Sequence, residues 1–182
     1  MSFLAQSISD FEAQADAVDF SLLLLRVSLG LTLAAHGYGK FFTGGRLPGT
    51  AGWFDSMGMK PGKVHALLAA STEVGAGLMF AVGLLTPFAA AGFVGLMVVA
   101  GWTVHRNSGF FIVKSGWEYN FILAIVPACV AGIGPGRFSI DRVLEIDYDL
   151  SGWFGLLTAL ILGIGGSVGL LAACYRPPVD AG

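Results

Sequence analysis

Arg26 and Glu73 each interrupt an apolar run long enough to cross a bilayer, Arg26 within Phe20–Gly39 and Glu73 within Val64–Thr86. A bare charge at that depth costs roughly 2.5–3.5 kcal/mol on insertion scales, so such residues pair, line a wet cavity or do chemistry. Arg26 and Glu73 match in depth and in sign, which predicts a pair serving either as architecture or as a proton-linked site. His36, Lys40, Trp102, His105, Glu118 and Asn120 lie near the ends of the apolar runs. On a helix of 100° per residue, Arg26, His36 and Lys40 fall within about 80° of one another and form a polar stripe.

Histidines and carboxylates around an apolar slot suit proton-coupled chemistry on a flat, lipid-soluble molecule such as a quinone, because imidazole changes charge near neutral pH. In that reading Glu73, His36, His105 and Glu118 carry protons. Arg26, Lys40, Asn120 and the indole of Trp102 hold the ligand. Each residue also has a plainer use. Lys40 can snorkel to headgroups, the histidines can be satisfied interfacial residues, and Glu118 can favour a helix start. A metal would need the same two His and two Glu, but no E-x-x-H or H-E-x-x-H spacing is present and no metal is expected. No phosphate loop, Ser-His-Asp order or haem signature occurs.

The elements that must position these groups are membrane helices. Hydrophobic residues make up 55% of the 182-residue chain and charged residues 12%, far from the balance of a soluble domain. With a mean hydropathy of +0.75 the chain reads as an all-α polytopic bundle. Spans are expected near 20–39, 64–85, 87–105, 118–134 and 152–174, the second and third joined by a tight hairpin at Thr86-Pro87. Ser151 is placed to cap the last helix, and Tyr175-Arg176-Pro177-Pro178 to end it.

The segment 40–63 is too short to span and carries Trp53, Phe54, Met57 and Met59 around Asp55. It should lie in the interface or fold back over the bundle mouth. The chain thus divides into an acidic N-terminal segment 1–19, a membrane domain 20–145 that includes 40–63, and an added helix with a short tail, 146–182. The first segment lacks the basic start of a signal peptide, so the first apolar run should remain in the mature protein.

Alternation places Lys40, Arg46, Lys60, Lys63, Arg106, Lys114 and Arg176 at one end, against Arg137 and Arg142 at the other. The positive-inside rule then puts the C-terminus in the cytoplasm and the N-terminus outside. Net charge is −2 and no basic cluster appears, so nucleic acid is not expected as a partner. Cys129 and Cys174 read as separate buried thiols. Gly77-x-x-x-Ala81 and Gly165-x-x-x-Gly169 allow close helix approach, the second on a helix suited to an oligomer or partner contact.

Leu24-Leu25-Arg26-Val27 with Gly30, His36-Gly37-Tyr38-Gly39-Lys40-Phe41, Glu73-Val74-Gly75-Ala76-Gly77-Leu78, Gly83-Leu84-Leu85-Thr86-Pro87 and Gly134-Pro135-Gly136-Arg137-Phe138-Ser139-Ile140-Asp141 occur in that order. In these the chain resembles the DoxX family of integral membrane proteins over roughly residues 20–145. It departs from that pattern by the added helix 151–174 and the long connection 40–63. The resemblance implies a four-helix core in the cytoplasmic membrane of a prokaryote. It also implies links to redox and oxidative-stress systems through quinone and soluble oxidoreductases. The expectation is therefore a quinone-interacting membrane component in contact with membrane lipids, with a soluble redox partner or a second copy of the chain as its protein contacts. A non-catalytic anchor that docks a soluble protein through 40–63 and 106–117 is the alternative, and a small-solute transporter a third.

Overall fold

A computed structural model describes residues 3–177, with side chains from residue 12. The tail from Pro178 and the side chain of Asp10 lie outside the described residues, and with them the helix-breaking role expected of Pro178. The helices are α1 (Phe3–Phe42), α2 (Arg46–Ser56), α3 (Gly62–Val82), α4 (Thr86–Ala100), α5 (Glu118–Ile133), α6 (Ile140–Val143) and α7 (Gly152–Cys174). Helix α4 runs on through a wide π turn, Gly101–His105, into a 3₁₀ turn, Arg106–Ser108. No strand occurs among the described residues.

Among the described residues, four helical stretches are long and apolar enough to span a membrane: Glu12–Phe42, Gly62–Val82, Thr86–Ser108 and Gly152–Cys174. The fifth apolar helix, Glu118–Ile133, is shorter and does not extend back through Trp117. The chain is a multi-pass membrane protein of the expected all-α class. Helix α1 exceeds the span expected for it. Its 40 residues reach about 60 Å at 1.5 Å per residue. The acidic stretch is helical from Phe3 onward and continuous with the first span.

Without a hydrophobic drive between helices in lipid, small residues set which ones touch. Helices α1 and α3 meet along Gly30, Gly37 and Gly77. A Cβ on Gly30 would lie 2.7 Å from Ala81 Cβ, and one on Gly77 2.7 Å from the Ala34 nitrogen. The Gly77–Ala81 pair thus serves intramolecular packing. On α7 the inward row is Gly155, Ala159, Gly163 and Ser167, packed on α4 and α5. A Cβ on Gly165 or Gly169 would meet nothing within 4 Å among the described residues, so both lie on the open face. Between these seams sits a core of Phe80, Phe93, Val94 and small alanines, with the two rings 5.0 Å apart.

Segment 40–63 folds back over the bundle. Ala51 and Phe54 of α2 are buried, and Asp55 Oδ1 accepts the Gly62 N–H at 2.7 Å, fixing α2 to the start of α3. The C-terminal strap closes the same end, where the Arg176 N–H donates to the Gly58 carbonyl at 2.8 Å. Ser151 stands at the N-cap of α7 but makes no cap bond. Its hydroxyl donates instead to the Tyr148 carbonyl.

Candidate functional site

The two membrane charges do not pair with each other. Arg26 is fully buried, and its Nη2 donates to the Phe138 carbonyl at 2.6 Å and its Nη1 to the Ala81 carbonyl at 3.3 Å. Close by, Asp141 is buried with Oδ1 accepting the Leu85 N–H at 2.6 Å. Its Oδ2 accepts the Thr86 N–H at 2.9 Å and the Thr86 hydroxyl at 2.7 Å. Asp141 thus caps α4 from 55 residues away, satisfying amides at the helix start. Gly83, at φ +66°, closes α3 between Arg26 and Ser139, where a Cβ would lie 2.6 Å from Ser139 Cβ. This end of the bundle is a closed knot.

Glu73 is paired with Lys40. The ammonium donates to both carboxylate oxygens at 2.6 Å, and the two side chains are 22% and 11% exposed. Antiparallel packing explains the swap. Gly37 brings α1 against Ala70, Val74 and Glu73, so the residue one turn onward on α1 reaches Glu73, while Arg26 lies near Ala81 and Gly83. Charge and depth suggested a partner; the register of the α1–α3 seam selected another.

The Lys40–Glu73 pair borders a cleft of about 610 Å³ that runs through the bundle beside α4. Phe54, Met57 and Met59 roof one end, and Leu96, Leu123 and Phe93 line the depth. Its edges carry half-exposed Tyr119, Leu68 and Leu162, so it opens toward the surrounding lipid. Of the residues singled out by sequence, His36, Lys40, Glu73, His105 and Asn120 line it, His36 on its exposed rim along α1. His105 is partly spent, with Nδ1 2.7 Å from the Ser115 carbonyl.

Three sequence candidates stand elsewhere. Arg26 lies at the knot. Glu118 Oε2 accepts the Ile112 N–H at 2.9 Å, ordering the loop before α5. Trp102 lies on a second groove between α4 and α5, under the Arg106 guanidinium at 4.7 Å.

Sequence reasoning missed His65. It is 3% exposed, lines the cleft, and has Nδ1 with no hydrogen-bond partner, while Nε2 lies 3.4 Å from the Lys60 carbonyl. A signal was present, because His65, Ala69, Thr72 and Glu73 recur at i, i+4, i+7 and i+8 and share one helix face. No group of three His, Cys, Asp or Glu able to share a metal ion occurs among the described residues.

Residues 21–106 match the family model described as DoxX. That segment holds α1 from its middle through α4, and with them Arg26, His36, Lys40, Glu73 and His105. A Haemophilus influenzae protein, described as uncharacterized, is 22% identical over 158 residues, covering 82% of this chain and 100% of that protein. No solved structure matches the chain.

Proposed function

We propose that this chain, a DoxX-family membrane protein by its match over residues 21–106, binds a quinone in the cleft beside Lys40 and Glu73 as the membrane component of a redox system. The observation that carries this reading is the combination in one cleft of a long apolar wall, the Lys40–Glu73 pair and a buried imidazole nitrogen without a partner. Ligand sites are mostly apolar with a few convergent polar groups, and an orphaned buried donor or acceptor calls for one more partner. An apolar ring bearing carbonyl oxygens fits that set. Bound there, a quinone would supply two-electron, two-proton chemistry.

The chain's own residues have narrower tasks. His65 offers Nδ1 to a polar atom of the ligand, and His36, on the exposed rim, is placed to pass a proton between the cleft and the medium at the cation-bearing end. Lys40 fixes Glu73 so that neither charge faces the apolar wall alone. Leu96, Leu123 and Phe93 exclude water. The cation-bearing end, with the C-terminus, faces the cytoplasm of a prokaryote by the positive-inside rule, and a soluble oxidoreductase or a second copy of the chain completes the assembly.

Mass spectrometry of the gently detergent-purified protein tests the reading. A near-stoichiometric quinone that is lost in Glu73→Gln and in His65→Ala is the expected result. Quinone at the level of bulk lipid in the wild type would overturn it. A tightly held soluble protein with no quinone would instead support a non-catalytic anchor. That second reading is favoured by the 106–117 loop, which exposes Phe111 and, at 88%, Val113.

A further inference from the structure

The second groove, of about 350 Å³, lies between α4 and α5 at the cation-bearing end and takes no part in the reading above beyond sharing Asn120 and Met97 with the main cleft. Its walls are Val98, Phe121 and Ala124, and Trp102 and Trp117 flank it, 50% and 39% exposed. Paired, half-exposed indoles beside an apolar slot belong at the level of lipid headgroups. Arg106 stands at this groove with its guanidinium 4.7 Å from the Trp102 ring and 5.9 Å from that of Tyr175. It makes no salt bridge to a carboxylate among the described residues. Ring faces steer the guanidinium and leave its N–H fork for a bidentate acceptor such as a phosphate. Asn120 is 91% buried on the groove wall, yet its amide has only a 3.7 Å contact to Met97 Sδ. It retains unused hydrogen-bonding capacity at the depth of an ester carbonyl.

We infer that this groove is a binding site for one anionic phospholipid, with an acyl chain between Trp102 and Phe121, an ester carbonyl at Asn120 and the phosphate on Arg106. Charge complementarity selects this occupant over a neutral lipid. Lys114 and Arg176, at the same end, reinforce the preference for negative headgroups.

Delipidated protein in detergent, titrated with phosphatidylglycerol or phosphatidylcholine and read by native mass spectrometry, tests this. Wild type should hold one phosphatidylglycerol at least tenfold more tightly than phosphatidylcholine, with no displacement by inorganic phosphate. Arg106→Gln should abolish the preference, and Arg106→Lys should keep part of it. Gly101→Leu should weaken both lipids by filling the groove. A Cβ at Gly101 meets only Asn120 Cβ, at 3.8 Å, so this variant should fold. The site is refuted by equal retention of the two lipids in wild type, an unchanged preference in Arg106→Gln, or unchanged binding in Gly101→Leu. Displacement by inorganic phosphate would mean that a free anion, not a lipid, is the ligand. Should Arg106→Gln fail to fold, Gly101→Leu and the wild-type comparison decide alone.

Discussion

Arg26 and Lys40 sit on the same helix, 14 residues or about 21 Å apart, and both carry a charge into the membrane span. Their surroundings differ in kind. Around Arg26 no cleft opens: its two terminal nitrogens donate to carbonyls, Nε stays buried without a partner, and Asp141 is consumed in capping α4. Around Lys40 the pair with Glu73 faces open volume, and His65 nearby keeps a free nitrogen. A charge that is fully enclosed by chain is architecture. One that borders a cleft is available to a ligand. Sequence composition alone ranks the two as equals.

The largest effect should follow from breaking the knot. Arg26→Leu removes the donors to the Phe138 and Ala81 carbonyls and leaves both acceptors buried and unmet, a loss of about 1–3 kcal/mol each. Folded yield in detergent should collapse. Adding Glu73→Leu should not rescue it, since the two belong to separate networks and their effects should add. Recovery in the double variant would restore the Arg26–Glu73 pairing.

Gly83→Ala should come next. It imposes a left-handed backbone on a residue with a Cβ and pushes that carbon toward Ser139, costing about 1–3 kcal/mol. Thermal unfolding in detergent should fall accordingly while any ligand affinity is kept.

At the cleft the balance reverses. His65→Phe keeps the ring packing against Phe54, whose centroid is 6.2 Å away, and removes only the nitrogens. Stability should change by less than about 1 kcal/mol, whereas quinone affinity should drop at least tenfold. Unchanged affinity would remove His65 from the site. Smallest of all, Glu118→Gln loosens one loop hydrogen bond, worth about 1 kcal/mol or less, and should leave quinone binding alone.

How much of this was legible beforehand follows from the physics of each signal. Apolar runs and Pro87 marked the membrane helices, because bilayer thickness imposes length and proline imposes a break. The fold-back of 40–63 was readable from its aromatic content and its shortness. Pairing was not, because it depends on the α1–α3 register set by Gly30, Gly37 and Gly77, which sequence spacing leaves free. The capping of α4 by Asp141 was equally hidden. It joins Gly83-Leu84-Leu85-Thr86-Pro87 to Phe138-Ser139-Ile140-Asp141, two segments that sequence presents as unrelated motifs. His65 was overlooked at the edge of an apolar run, where a histidine ordinarily meets water.

The most direct test of this division is to measure, side by side, the melting temperature and decylubiquinone affinity of wild type, Gly83→Ala and Glu73→Gln in one detergent. Gly83→Ala should melt several degrees lower and bind with wild-type affinity. Glu73→Gln should also melt lower, because it leaves Lys40 without its counter-charge, but should in addition bind at least tenfold more weakly. Loss of stability and affinity in parallel in both variants, or no difference in affinity among the three, would contradict the assignment of one buried charge to architecture and the other to the ligand.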